Sequence, residues 1–479
     1  MRLTRLLLLL SLCILCPAQT VQPDTPAARQ LFAWLDVFNE GNRETYLAFL
    51  EKNFPARTKM IDQEMNFRRN TGGFDLRKIE DVTVPTKIVA LVQERASDQF
   101  ARLTLEVAPD NPNDVPSSGP HAITSLGIRA IPRPAEFALP HLSYDDLVAA
   151  LKTKLPQDLS AGAFSGDVLV SGRGHGVFTA AYGYADRDNK TANTLGTRFR
   201  IGSMNKMFTA VSIMQLEQQG KLSLDDPLIK FLPDYPNKDV ATKVTVRHLL
   251  THTGGTGDFF GPEFEAHRLE LKTSEDYVKL FGARPLRFEP GSKWEYSNYG
   301  FLLLGMIVSK ASGQPYYDYV RDHIYKPAGM TSTDSEPEDT AVANRSTGYT
   351  AMGAPAGQTR PNTDTLPYRG TSAGGGYSTV EDLLHFADAL QQNKLLDARH
   401  VEMLTTGKPG TPNDSYAFGF EDHTINGTRC FGHGGGAPGM NGMLQICPGP
   451  GYVVAVLSNL DPPAAQRIAD FILNRLPQQ

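Results

Sequence analysis

FRIGSMNKMFTAVSIMQLEQQGKL (residues 199–222) is the stretch around which the rest of the chain is organised. Phe199, Ile201 and Gly202 read as the end of a strand and a tight turn. Met207, Phe208, Val211, Met214 and Leu216 then recur at helical spacing, and Gly220 marks the stop. Ser203 is therefore expected at the first turn of a buried helix, where unpaired N–H groups and the helix dipole favour negative charge. Lys206 lies three residues on, one turn up the same face and within reach of the Ser203 hydroxyl. A serine becomes a nucleophile only beside a base, and a lysine serves only when burial or nearby cations pull its pKa well below about 10.4. Taken alone, the tetrapeptide favours a helix-capping serine followed by a solvated lysine.

Two further motifs change that balance. Tyr296-Ser297-Asn298, in KWEYSNYGF, places a phenol and a carboxamide two apart, on one side of an extended segment. Tyr296 can shuttle protons to a leaving group, and Asn298 can hold Lys206 and substrate by hydrogen bonds. His433-Gly434-Gly435-Gly436 precedes two strand-like runs. Its glycines let a substrate lie against a strand edge, with the Gly436 and Ser203 N–H groups placed to hold an oxyanion. The rival motifs are weaker. Tyr235-Pro236-Asn237 sits in a proline-rich loop, His252-Thr253-Gly254 precedes Tyr296, and Lys408-Pro409-Gly410 carries proline where a strand donor is wanted.

The order Ser-x-x-Lys, Tyr-x-Asn, His-x-Gly resembles that of the β-lactamase-related serine hydrolases, the family of class C β-lactamases, esterases and D-aminopeptidases. FRIGSMNKMFTA, TVRHLLTHTGG, FEPGSKWEYSNYGFLLLG, GGGYSTVEDLLHFADAL and GHGGGAPGMNG carry the resemblance over about residues 165 to 460. It implies Ser203 as nucleophile, Lys206 as its base and Tyr296 as acid/base to the leaving group. Asn298 is implied as a positioning group, and His433, Gly435 and Gly436 as substrate-binding or oxyanion residues. No cofactor is implied, and the scattered histidines have no metal-ligand spacing. His433 stands where β-lactamases and transpeptidases carry a lysine, whereas the resemblance implies that esterases and D-aminopeptidases of the family often carry His-x-Gly. A histidine is mostly neutral at pH 7, so anchoring of a substrate carboxylate is in doubt, and an ester or D-amino-acid amide is favoured over a β-lactam. Arg369, just before Thr371-Ser372-Ala373-Gly374, can restore a cation or simply lie on the surface. The alternatives are a weak β-lactamase or D,D-peptidase, and a catalytically silent protein that binds peptidoglycan or another ligand.

The remaining sequence frames this domain. With 479 residues and a formal charge of −5, the chain has ample core, and it has no basic run for nucleic acid. Residues 1–18 read as a signal peptide, with Arg2 and Arg5, an apolar Leu6–Leu15 and a small-x-small Cys16-Pro17-Ala18. The protein is then secreted or periplasmic, with lipid anchoring disfavoured and no membrane span after cleavage. Residues 19–131 read as a small α+β roll, with two helices (27–39 and 44–52) before strands at 74–84, 87–95, 99–107 and 122–131. WLDVFNEGNRETYLAFL and LVQERASDQFARLTLEV resemble cystatin-like or nuclear-transport-factor-like rolls. Residues 132–142, with Pro132, Pro134 and Pro140, read as a linker. Residues 143–479 form the large α+β domain: a helix at 143–155, strands at 166–171 and 176–184, a helical middle, strands at 417–420, 429–432, 443–447 and 452–458, and a helix at 463–475. Strands from both ends of the domain imply one antiparallel sheet with a helical subdomain beside it. The expected partner is a small-molecule or short-peptide substrate, selected by loops around the cleft such as Asp258–Arg268.

Cys430 and Cys447 are the cysteines left after signal cleavage, and an oxidising compartment favours their pairing. In a hairpin whose turn falls at Pro438-Gly439 they face each other across two strands, and His433 faces Leu444.

Overall fold

The computed structural model describes residues 23–109, 121–355 and 357–478, so the expected signal peptide lies outside the described residues. The chain forms two compact units, 1–131 and 132–479.

The first unit contains α1 (Pro26–Glu40), α2 (Arg43–Asn53) and α3 (Ile61–Thr71). They precede an antiparallel meander of β1 (Phe74–Asp81), β2 (Lys87–Glu94), β3 (Phe100–Val107) and β4 (Ile123–Ile131). Leu31, Trp34, Leu35 and Phe38 of α1 are buried against Ile88, Ala90, Val92, Leu103 and Leu105 of the sheet. The third helix is a correction to the two expected. Among its apolar residues only Ile61 and Met65 are buried and Phe67 is exposed, so IDQEMNFRRNT carries no apolar stripe to read.

The second unit begins earlier than expected. The main-chain N–H of Leu142 donates to Arg475 O, the His141 ring bonds Leu476 O, and Asn426 Nδ2 donates to Leu139 O. The segment read as a linker is thus tied to the second unit at least from Leu139. Next come α4 (Tyr144–Ser160), β5 (Gly166–Gly172) and β6 (Phe178–Tyr182). The helix runs five residues past its expected end and accommodates Pro156, with Leu147, Leu151 and Leu155 buried beneath it. Further along lie α5 (Asn205–Gln218), α6 (Asn298–Ser312) and α7 (Val380–Gln391). The C-terminal part supplies β7 (Glu421–Ile425), β8 (Thr428–Ala437), β9 (Met440–Cys447), β10 (Tyr452–Ser458) and α8 (Ala464–Leu473).

The main sheet is antiparallel in the order β7-β8-β9-β10-β5-β6, and β10–β5 pairing (Ser458↔Gly166 to Tyr452↔Gly172) joins the two ends of the unit. Helices α4 and α8 cover one face through Leu151, Leu155, Ile468 and Ile472 packed on Val168, Val170, Val454 and Val456. Against the other face lies the helical half, centred on α5, in which every residue from Asn205 to Leu216 is buried. A helix buried all round is a core element, which explains why its sequence is apolar beyond one stripe. Residues 417–420, expected as a strand, form a turn. The edge strand is the polar EDHTI that follows, because an edge strand need bury only part of its surface. Among the described residues no helix is long and apolar enough to cross a membrane.

The β8–β9 register holds residue numbers at a constant sum, with Phe431 opposite Ile446 and His433 opposite Leu444. Cys430 and Cys447 are buried, with their Cα atoms 4.1 Å apart and their sulfurs bonded. The closed loop is short, so replacing both cysteines by alanine is expected to lower unfolding stability by about 3 kcal/mol at most. Urea denaturation checks this, and two free thiols titrated in the denatured, unreduced wild type would contradict the bond.

Candidate active site

The turn before α5 brings the edge of β8 and Ser203 together. Residues Gly202–Met204 form a single 3-10 turn, and Gly202 has a φ of +52°. A Cβ on Gly435 would lie 1.9 Å from Ile201 O, so only glycine lets β8 approach the turn this closely. A Cβ on Gly202 would lie 3.1 Å from Gly436 N, which puts the Gly436 amide beside the residue preceding Ser203. Strand β7 pairs with β8 only as far as Gly432. From His433 to Ala437 the ladder on that side has ended, and the edge faces the Ser203 turn, as an oxyanion pocket and a substrate-docking edge require.

Lys206 is fully buried, and its Nζ has three partners: Ser203 Oγ at 3.1 Å, Asn298 Oδ1 at 2.7 Å and the main-chain O of Ala373. Burial lowers its pKa from 10.5 to about 7, against the opposing charge of Asp258. Two of the three partners are carbonyl oxygens, which can only accept. A neutral amine has two hydrogens and one lone pair, so once both hydrogens are given to Asn298 and Ala373 the lone pair faces Ser203. The side chain is thereby aimed as a base.

Tyr296 lies over the same lysine, its ring centroid 4.7 Å from Nζ. Desolvation raises its pKa well above the ordinary value, so the phenol keeps its proton at neutral pH. Asn298 is not in an extended segment, as the motif implied, but is the first residue of α6. Ser297 caps that helix by accepting from the Gly300 N–H at 2.9 Å, and this turns the carboxamide towards Lys206.

His433 is buried, and each ring nitrogen has a partner. A directed chain fixes its state. The Ser297 N–H donates to His252 Nδ1 at 3.1 Å, so the proton of a neutral His252 sits on Nε2 and goes to Tyr416 Oη at 2.9 Å. Tyr416 in turn donates to His433 Nε2 at 3.2 Å, and His433 Nδ1–H donates to Gly434 O. These tautomers follow from the partners. Burial lowers the pKa of both histidines, with Lys206 adding to the effect and Glu421 opposing it at His433. His433 is therefore held within β8 by both ring nitrogens and presents no cation.

The other candidates lie elsewhere. Arg369 donates to Ser335 O at 2.8 Å and stacks 3.5 Å over Tyr317, so it is occupied away from Ser203. Tyr235 bonds Tyr299 at 3.0 Å and Asn237 caps a short helix. Lys408 Nζ donates to Met403 O and Thr406 O. The sequence reading had no signal for Tyr416 or the Ala373 carbonyl, since neither belongs to a motif.

The fold and the order of these motifs define a β-lactamase-related serine hydrolase. A family model described as Beta-lactamase matches residues 146–479, and the chain belongs to that family. It is similar to a penicillin-binding protein from Bacillus halodurans, with 32% identity, a TM-score of 0.60 and coverage of 66% of this chain and 98% of that one. A D-amino acid amidase from Ochrobactrum anthropi SV3, in complex with D-phenylalanine, shares 26% identity with a TM-score of 0.60, over 69% of this chain and 98% of that one. Penicillin-binding protein 4* of Bacillus subtilis (strain 168) is 29% identical over 298 residues, 59% of this chain and 65% of that protein's length.

Proposed function

We propose that this chain is a secreted hydrolase that forms an acyl-enzyme on Ser203 and acts on esters or D-amino-acid amides and peptides. The observation that carries the reading is Lys206: buried, drawn down to about 7 and hydrogen-bonded so that its lone pair faces Ser203 Oγ. In the first step Oγ attacks the substrate carbonyl while its proton passes to Nζ. The oxyanion that forms faces the N–H groups of Ser203 and Gly436. Tyr296, protonated, gives its proton to the leaving group and is reprotonated from the Lys206 ammonium. Water then attacks the acyl carbonyl while Lys206 takes its proton, and the Lys206 ammonium returns a proton to Ser203 Oγ as the C–Oγ bond breaks and the acid leaves.

Substrates with a carboxylate beside the scissile bond are disfavoured, because His433 is neutral and both its nitrogens are engaged. The expected result is a kcat/KM for p-nitrophenyl acetate at least tenfold above that for nitrocefin, which carries a carboxylate. Preference for nitrocefin would overturn this substrate assignment.

A further inference from the structure

We propose that Asn205 and Thr209 are positioning residues of the Ser203 site: they hold the turn Thr371–Gly374 against α5, so that the Ala373 carbonyl fixes the Lys206 amine. The proposal rests on the hydrolase reading above and adds to it the device that keeps the base aimed.

Three consecutive carbonyls of that turn each accept from a side chain at the start of α5. Thr371 O accepts from Asn205 Nδ2 at 2.7 Å, Ser372 O from Thr209 Oγ1 at 2.6 Å, and Ala373 O from Lys206 Nζ. Asn205 and Thr209 are four residues apart and Lys206 and Thr209 three, so one face of the helix presents all three donors. The turn is closed on itself, with Thr371 N–H donating to Gly374 O at 2.7 Å and Gly374 N–H to Thr371 O at 3.2 Å. Planar peptides in so short a loop cannot turn independently, so whatever holds two of the carbonyls sets the third. Thr209 is fully buried and has one hydroxyl hydrogen, which goes to Ser372 O because a carbonyl can only accept. Tyr316 Oη, 2.6 Å from Thr209 Oγ1, is then the donor of that pair, and burial raises its pKa so that it keeps its proton. The Tyr316 oxygen also lies 3.5 Å from Asn205 Nδ2, which closes a directed network behind the turn.

The next residues of the same segment reach Ser203 itself. Gly375 N–H donates to Gly202 O at 3.1 Å, and Asn205 N–H donates to the same oxygen. In a planar trans peptide the C=O and N–H point opposite ways, so holding Gly202 O towards Gly375 turns the Ser203 N–H away from it. A Cβ on Gly374 would lie 3.6 Å from Ser203 N, so the turn rests directly against the residue that the hydrolase reading makes the nucleophile. Without Ala373 O, Nζ would keep only Asn298 as a fixed acceptor, and its lone pair could swing away from Ser203 Oγ. The titratable groups that face Lys206 are Tyr296, His252, His433 and Asp258, which accepts from Asn298 Nδ2 at 2.9 Å. The turn carries no titratable side chain, so a change at Thr209 removes no charge from the site and acts on Lys206 through the Ala373 carbonyl.

The test uses the full chain and the pH dependence of kcat/KM for p-nitrophenyl acetate. Thr209→Val removes the hydroxyl at nearly constant shape. It is expected to lower the plateau of kcat/KM by about tenfold, as small misplacements of a reacting group do. It should also move the inflection up by about half a pH unit or more, because water replaces the fixed carbonyl at Nζ and relieves part of the burial that lowers its pKa. Thr209→Ser keeps the donor to Ser372 O and is expected to restore the plateau to within about twofold, with the inflection at the wild-type position. Asn205→Ala releases the same turn at its other carbonyl and should give the same upward shift, so the test does not depend on the folding of Thr209→Val. Far-UV circular dichroism and the urea midpoint verify each fold. A Thr209→Val enzyme with the wild-type plateau, a loss of activity that leaves the inflection in place, or one that Thr209→Ser does not recover would make these residues packing groups only. Each of those results would overturn the positioning role and leave the hydrolase standing. A wild type that does not turn over the ester would remove both.

Discussion

Ser203→Ala is expected to lower kcat on any ester or amide substrate by at least about 10⁴-fold, with the fold intact. Loss of the nucleophile leaves only the oxyanion donors and binding to accelerate attack by water, and removal of such a group elsewhere costs several decades. The fold should survive because the residue is half-exposed on a turn and its hydroxyl is engaged by Lys206, a group of the same site. Far-UV circular dichroism and the urea midpoint check the second half of the prediction, and steady-state kinetics the first. A variant that keeps more than about a hundredth of the activity would mean that another residue performs the attack.

The second large effect concerns Lys206. Lys206→Ala is expected to cost nearly as much as Ser203→Ala, since base and nucleophile act as a unit, and the double variant should be little worse than either single one. The pH profile of the wild type carries the same information without mutation. Burial lowers the Nζ pKa from 10.5 to about 7, and only the neutral amine can accept the Ser203 proton. The sign is therefore fixed: kcat/KM for a substrate without a titrating group should rise through about pH 7 and level off above it. An unburied lysine would still be gaining activity near pH 10. A profile that falls between pH 6 and 8, or a Lys206→Ala enzyme with more than about a tenth of wild-type activity, would make Lys206 structural.

What was legible in the sequence was local or symmetric. Ser203 and Lys206 are three residues apart, so helix geometry alone brings them together. The hairpin register needs one turn position, and Pro438-Gly439 supplies it, which is why the His433–Leu444 pairing could be read from residue numbers. Asn298 was legible as a Lys206 partner through its motif but not in its local structure, because the cap at Ser297 depends on which residue starts the helix. The rest of the site is held by contacts across long stretches of chain. Ala373 O is 167 residues from the lysine it orients, and it is a main-chain atom that any residue type supplies. Tyr416 reaches His252 across 164 residues, and in AFGF-flanked sequence it reads as an ordinary core tyrosine. Asp258 stood out only as part of a cleft loop, since one carboxylate carries no spacing.

The central claim is that a covalent acyl-enzyme forms on Ser203. Its most direct test is peptide mapping by mass spectrometry after rapid acid quench of the wild-type protein with a slowly deacylating p-nitrophenyl ester. The account predicts one adduct of the acyl mass, on the peptide containing Ser203, present in wild type and absent in Ser203→Ala. An adduct on another residue, or turnover of the ester with no adduct at Ser203, would contradict it.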